Sequence, residues 1–223
     1  MRAALLTTVL WMCGVIALPS PAVQACMNEV YFTLGEMTRR VSGAERSLRY
    51  GKSKRAFKKA HSAMSTIAEG EIETDSGRVP KWIEKKAAHL ATRAERVVAI
   101  AVVRLGGKVN MRRGVTLRKI APADAKKNLV WARDKLVAQR KVKPDDPVLR
   151  ARMAEALSAF PDSRAEARRM ITTLVEADLV PDAETYRVLA HLEHLGGRVE
   201  ARDVAVAKCK SLARRKKICS DFM

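Results

Sequence analysis

Residues that usually build catalytic and metal sites are scarce in this chain of 223 residues. It has four histidines, four cysteines and only 4% aromatic residues. The glycine-rich phosphate loop, the G-x-S-x-G turn and the H-E-x-x-H zinc motif are all absent, which argues against an enzyme. Eight prolines and eleven glycines are too few for a collagenous or low-complexity chain. An apolar share of 48% is enough to form a folded core.

Positive charge is abundant and unevenly distributed. Lys and Arg number 43 against 24 Asp and Glu, which gives a net charge of +19. Residues 26–144 hold 28 basic and 11 acidic side chains (+17), whereas residues 145–203 hold 8 and 12 (−4). Residues 204–223 return to 6 basic and 1 acidic (+5). The basic and the mildly acidic parts are therefore expected to attract each other, across the fold or between molecules.

The first 25 residues are typical of a secretory signal peptide. Arg2 is followed by an uncharged run from residue 3 to residue 18, and Val23 and Ala25 are small residues ahead of a cleavage point. The run is shorter than the roughly 20 residues that cross a bilayer. An uncleaved membrane anchor is the alternative. We expect export to the periplasm or the outer membrane.

Cys26 follows Ala25, and the stretch 23–26 resembles a bacterial lipoprotein processing site. Cleavage before Cys26 would leave Cys26, Cys209 and Cys219, an odd number for an oxidising compartment. If Cys26 carries a lipid, Cys209 and Cys219 form a disulfide that folds the basic tail back on the last helix. If Cys26 is not lipidated, it pairs with one of them.

A step of 34 residues recurs in the second half of the chain. Pro147 recurs as Pro181, and the triplet Glu-Ala-Arg at 166–168 recurs at 200–202. Tyr186, together with the small residues at 201 and 205, resembles the tetratricopeptide repeat. The resemblance implies an all-α fold of antiparallel helical hairpins stacked as a solenoid. A generic helical bundle, also all-α, is the alternative.

Periodicity predicts eight helices at about 28–49, 52–69, 81–105, 122–141, 148–159, 163–177, 183–195 and 198–213. Residues 26–144 would form a basic helical region and 145–223 a repeat-like region with a basic tail. The β-branched run 97–103 is expected in the most buried helix. Asp182 and a Ser163–Glu166 capping box are expected to begin two helices. Residues 70–80 are expected to be a linker, and 108–121 an insertion.

In the tetratricopeptide frame one face of helix 183–195 lines a concave groove, at Glu184, Arg187, His191 and His194. The two histidines could share a metal, but no third ligand is evident, so the groove interpretation is favoured over a metal site. A plain surface role for the histidines is the remaining alternative. The expected function is a non-catalytic scaffold that binds a peptide segment of another envelope protein. No cofactor is expected.

Two basic clusters, at residues 39–59 and 104–119, suggest an alternative function, binding of anionic lipid or polysaccharide at the envelope surface. The other interpretation of these clusters is a solvated cationic face without a specific ligand. Nucleic acid is disfavoured, because export separates the protein from it and stacking aromatics are few. The candidate residues are Arg39, Arg40, Lys52, Lys54, Arg55, Lys58, Lys59, Arg112, Arg113, Arg118 and Lys119.

Overall fold

The computed structural model describes residues 21–69 and 80–219. Within these ranges the chain forms eight α-helices, a two-stranded hairpin and two short 3-10 turns. The helices are Pro21–Arg49 (α1), Ser53–Glu69 (α2), Lys81–Arg104 (α3), Pro122–Val142 (α4), Pro147–Ser158 (α5), Arg164–Glu176 (α6), Ala183–Leu195 (α7) and Val199–Leu212 (α8). The strands are Val109–Asn110 (β1) and Val115–Thr116 (β2), which pair antiparallel. The all-α prediction is confirmed.

Each of the described helices packs against the helix that follows it in the chain, from α1 against α2 to α7 against α8. Contacts also join α1 to α3, α3 to α5 and α5 to α7. The odd-numbered helices thus form a continuous row. Residues 1–20 of the predicted signal peptide and 70–79 of the predicted linker lie outside the described residues.

The β-branched run of α3 lies in the centre of the larger core, as predicted. Val97, Val98 and Val102 are at most 2% exposed, and they pack with Phe57 of α2 and Leu136 of α4. A second cluster lies among α5, α6, α7 and α8. Full burial of each such side chain contributes about 1.5–3 kcal/mol to the free energy of folding.

The two capping predictions have different outcomes. Asp182 begins α7 as predicted, and its carboxylate accepts a hydrogen bond from the Thr185 amide at 3.2 Å. The Ser163–Glu166 capping box is wrong, because the Ser163 side chain makes no capping hydrogen bond. Ser163 ends the 3-10 turn Pro161–Ser163 with φ −105° and ψ 0°, whereas a capping serine needs an extended backbone.

The basic insertion 108–121 folds against α2 and α4. A ring nitrogen of His61 in α2 contacts the Met111 carbonyl oxygen, and the Asn128 amide of α4 donates to the carbonyl oxygens of Gly107 and Val109. Gly107 has φ +73°, and a Cβ there would lie 2.3 Å from the Ala125 carbonyl oxygen. Only glycine fits where the insertion leaves α3.

The Cys209–Cys219 disulfide is present, as predicted. It joins buried sulfur atoms of α8 and the turn Lys216–Cys219, so the basic tail is held against the fold. Both C-terminal cysteines are used, so this arrangement leaves neither for Cys26. Of the helices that the structure describes, none combines the length and the apolar character needed to cross a membrane.

Candidate functional site: a cationic cleft above a buried ion network

Three arginines and three carboxylates from α3, α5 and the start of α7 form an ion network around a buried arginine–glutamate pair. Arg104, the last residue of α3, donates from Nε to Glu155 of α5 at 2.6 Å, and its Nη1 donates to the Leu48 carbonyl oxygen at 3.2 Å. The Arg104 and Glu155 side chains are 6% and 3% exposed. The network therefore ties α1, α3 and α5 together where the basic half of the chain meets the acidic half.

The start of α7 completes this network. Arg152 of α5 pairs with Glu155 at 3.2 Å and with Asp182, the residue that caps α7. Glu184 lies 3.6 Å from Arg104 and accepts a 2.7 Å hydrogen bond from Arg187. The network members are Arg104, Arg152, Arg187, Glu155, Asp182 and Glu184, whose formal charges sum to zero.

Ion pairing keeps Arg104, Glu155 and Asp182 charged despite their burial. Burial opposes the charge on Arg104, but Glu155 and Glu184 outweigh that effect and raise the pKa of Arg104. Burial likewise favours neutral carboxyls, yet Arg104 holds the pKa of Glu155, and Arg152 that of Asp182, below the usual range. The acidic groups are thus neutralised internally and add little negative potential at the surface.

A cleft of about 500 Å³ opens directly above Arg104 and Glu184. Its walls are the turn and first residues of α2 (residues 50–55), the first turns of α7, and the tail segment 215–218. We call it the cationic cleft. Seven cationic side chains of the described residues line it: Lys52, Lys54, Arg55, Arg104, Arg187, Arg215 and Lys217.

The disulfide-bonded tail contacts the turn between α1 and α2, 164 residues earlier in the chain, and forms one wall of the cleft. Arg214 donates to the Tyr50 hydroxyl at 3.2 Å, and its guanidinium carbon lies 5.6 Å from the centre of the Tyr50 ring. The Arg214 hydrogen bond and charge lower the pKa of Tyr50. Ile218 packs on Gly51, where a Cβ would lie 3.1 Å from the isoleucine. These contacts position Arg215 and Lys217 beside the start of α2.

Positive charge in the cleft exceeds what its carboxylate can neutralise. Glu184 is the acidic side chain in the described lining, and it already pairs with Arg104 and Arg187. In the described part of the chain, Lys54, Arg55 and Arg215 have no carboxylate within 4 Å. The first turn of α2 contains no acidic residue, and its outward amide groups favour a negative charge.

The predicted groove residues lie along α7 but do not form one cluster. Glu184 and Arg187 line the cationic cleft. His191 is half-buried one turn further on, and burial, then Arg187 and Arg164, lower its pKa. His194 is exposed near the end of the helix. No group of three or more potential metal ligands occurs among the residues that the structure describes.

The predicted anion-binding residues occupy three places. Lys52, Lys54 and Arg55 line the cationic cleft. Arg39 and Arg40 lie in the middle of α1, where Arg40 pairs with Glu36, and Lys58 and Lys59 follow on α2. The exposed cations Arg112, Arg113, Arg118 and Lys119 lie on the insertion that packs on α2 through His61.

Sequence reasoning placed Arg104 in a basic cluster but missed its burial, and it missed Glu155 and the cleft contribution of Arg215. The one signal for Arg104 was its position directly after a fully apolar run, where a charge must find a partner. Arg152 and Glu155 stand three apart on a helix, which is common for surface pairs and so did not indicate burial. No sequence feature near residue 215 predicts that it lies close to residue 54 in the fold.

Comparison with protein-family models, with curated proteins and with solved structures finds no match to this chain.

Proposed function

We propose that the protein is a non-catalytic binding protein that holds an acidic peptide segment of a partner in the cationic cleft. The observation that carries this proposal is the convergence of seven cations from four parts of the chain, with the nearby carboxylates already paired. A carboxylate-bearing segment supplies the missing charge, and arginine binds carboxylates in bidentate geometry.

The arrangement of helices supports a tetratricopeptide-like solenoid as the framework. The row formed by α1, α3, α5 and α7 corresponds to the row of first helices that lines the concave side of such a stack. The cleft lies where that row meets the tail, and Glu184, Arg187, His191 and His194 continue along α7 from it. We propose that the bound segment follows this face of α7.

An acidic probe peptide tests the proposal directly. Fluorescein-labelled hexaglutamate is titrated with the full mature chain and followed by anisotropy, with hexaglutamine as the uncharged reference. The variant K54E/R55E reverses two exposed cleft charges that have no partner in the described structure. The matched variant R112E/R113E makes the same charge change on the insertion. We expect K54E/R55E to lose at least tenfold in affinity and R112E/R113E to stay within threefold.

Equal losses in the two variants would show that net charge, and not the cleft, controls binding, and would reject the proposal. Tight binding of hexaglutamine would also reject it. Each variant is checked for an unchanged helical circular dichroism spectrum before titration.

The second candidate function is adhesion to an anionic lipid or polysaccharide surface. It is favoured by the exposed cations of the insertion, which extend the basic face of α2 through the contact of His61 with Met111. Sedimentation with vesicles containing phosphatidylglycerol distinguishes the two functions. If R112E/R113E abolishes vesicle binding and K54E/R55E preserves it, the surface function is assigned to the insertion.

We also propose that the protein is exported to the envelope and anchored by a lipid on Cys26. The layout of residues 1–25 and the use of Cys209 and Cys219 by each other support this. Intact mass of the natively expressed protein decides it. A lipid-modified Cys26 at the N-terminus is expected. An N-terminus at Cys26 without a lipid would support export but reject the lipid anchor. An unprocessed chain would argue against both export and the anchor.

A further inference from the structure

A second cavity, of about 440 Å³, lies between α6 and the end of α7. Its apolar part consists of Leu192 and Leu195 of α7 with Ala165 of α6. Four arginines surround it, and we call it the arginine pocket. They are Arg164, Arg168, Arg169 and Arg198. No residue is shared with the cationic cleft, so this cavity is a separate feature of the fold.

Two of these arginines are held in place by one buried carboxylate. Glu193 of α7 is 4% exposed, accepts a hydrogen bond from Arg168 Nε at 2.7 Å and pairs with Arg198 on its other oxygen. A guanidinium carries five N–H donors, so each arginine retains donors beyond the one it gives to Glu193. Glu193 therefore orients both guanidinium groups without using all of their hydrogen-bond donors.

Gly196 provides the space for Arg198. A Cβ at position 196 would lie 2.5 Å from both terminal nitrogens of the Arg198 guanidinium. Because that distance is shorter than any real carbon contact, a side chain here would displace the guanidinium from the wall of the pocket. Glycine at 196 thus leaves room for this position of the Arg198 guanidinium, although its own φ of −89° is open to any residue.

The other two arginines contribute charge that the described residues do not neutralise. The Nε of Arg164 is buried and has no hydrogen-bond acceptor in the described part of the protein. Arg169 is exposed, with no carboxylate within 4 Å in those same residues. Four arginines against the single carboxylate of Glu193 leave a formal excess of three positive charges around an apolar floor. A buried donor without an acceptor is uncommon in folded proteins, and here it belongs to one of the cations that surround the pocket.

We propose that the arginine pocket binds a carboxylate that carries a short aliphatic group. The carboxylate accepts from the guanidinium groups, for which bidentate geometry is favourable, and the aliphatic group packs on Leu192 and Leu195. Two sources share this chemistry. One is the C-terminus of a peptide that ends in an aliphatic residue, and the other is a free short-chain fatty acid.

N-acetyl-leucine and hexanoate are the probes, titrated separately into the full mature chain labelled with ¹⁵N. Two-dimensional amide spectra are expected to show saturable shifts of residues 164–169 and 192–198. N-acetyl-leucinamide lacks the charge and acetate lacks the aliphatic group, and each is expected to bind at least about tenfold more weakly than N-acetyl-leucine. Preference for N-acetyl-leucine assigns a peptide terminus, and preference for hexanoate assigns a free acid.

Two variants and one control test the geometry. R169Q removes an exposed, unpaired charge, and G196A displaces the Arg198 guanidinium. R118Q removes the same charge on the insertion, outside both cavities. We expect R169Q and G196A each to weaken binding at least about fivefold, and R118Q to leave it unchanged. The proposal is overturned if N-acetyl-leucinamide binds as tightly as N-acetyl-leucine, or if R169Q and G196A bind as R118Q does. Chemical-shift changes confined to residues outside 164–169 and 192–198 also overturn it. Hexaglutamate binding in the cationic cleft should persist in R169Q, so the two sites are tested independently.

Discussion

Replacement of Glu155 by glutamine tests whether the ion network is a dry, structural feature of the fold. The glutamine keeps nearly the same shape but removes the negative charge that faces Arg104 at 2.6 Å and Arg152 at 3.2 Å. Opposite charges about 4 Å apart interact with about 4 kcal/mol at an effective dielectric constant of 20. Breaking a buried pair while leaving the other ion in place costs about 3–5 kcal/mol in measured cases. We expect E155Q to lower the free energy of unfolding by about 3–5 kcal/mol.

Guanidinium denaturation followed by circular dichroism measures the loss as a change in midpoint at constant slope. Lys135→Gln is the matched control, because it breaks a pair with Glu95 of similar length at a more exposed place. That variant should cost at most about 1 kcal/mol. The double variant R104M/E155L should recover much of the loss, since it removes both buried ions of the pair. If E155Q costs no more than K135Q, the network is solvated and the reasoning fails.

Three further outcomes follow from single contacts. Gly35→Ala, at an exposed helical site with nothing within 4 Å of the new Cβ, should stabilise the protein by about 0.5–1 kcal/mol in thermal melts. Gly107→Ala should destabilise the protein by more than about 1 kcal/mol in the same measurement. Loss of the Cys209–Cys219 bond in the double serine variant should lower the free energy of unfolding by about 2–3 kcal/mol, and an unchanged value would contradict a closed loop. Because the pKa of Asp182 is lowered in the folded state, the unfolded state binds its proton first as the pH falls. The contribution of Asp182 to the free energy of unfolding should therefore be constant above the ordinary aspartate pKa of about 4 and decline below it, so Asp182→Asn should show a shallower acid decline than the unsubstituted protein.

Helix positions were predictable because local signals agree along most of the chain. The Gly-Gly pairs at 106–107 and 196–197 follow the ends of α3 and α7, and apolar periods mark the faces between such breaks. Ser163 failed because Pro161 begins a 3-10 turn that takes the serine out of capping geometry. Residue types alone do not distinguish a serine that caps an α-helix from a serine that ends a 3-10 turn.

The cationic cleft was only partly predictable, because it is assembled by long-range contacts. Lys52, Lys54 and Arg55 were expected to bind anions as members of a local cluster. Their proximity to Arg215 depends on the disulfide and on two long-range contacts, that of Arg214 with Tyr50, 164 residues apart, and that of Ile218 with Gly51. Charge totals indicated that the two halves attract, but they did not show which side chains carry the attraction.

A chain divided after residue 144 would separate Arg104 from Glu155 and Glu184. The first fragment would retain a guanidinium facing only the Leu48 carbonyl oxygen, and the second would retain three carboxylates against two arginines. Neither fragment has a neutral interior, so neither should fold well alone. Mixed together they should reassociate and recover helical structure, as complementing halves do when each holds the other's counter-ions.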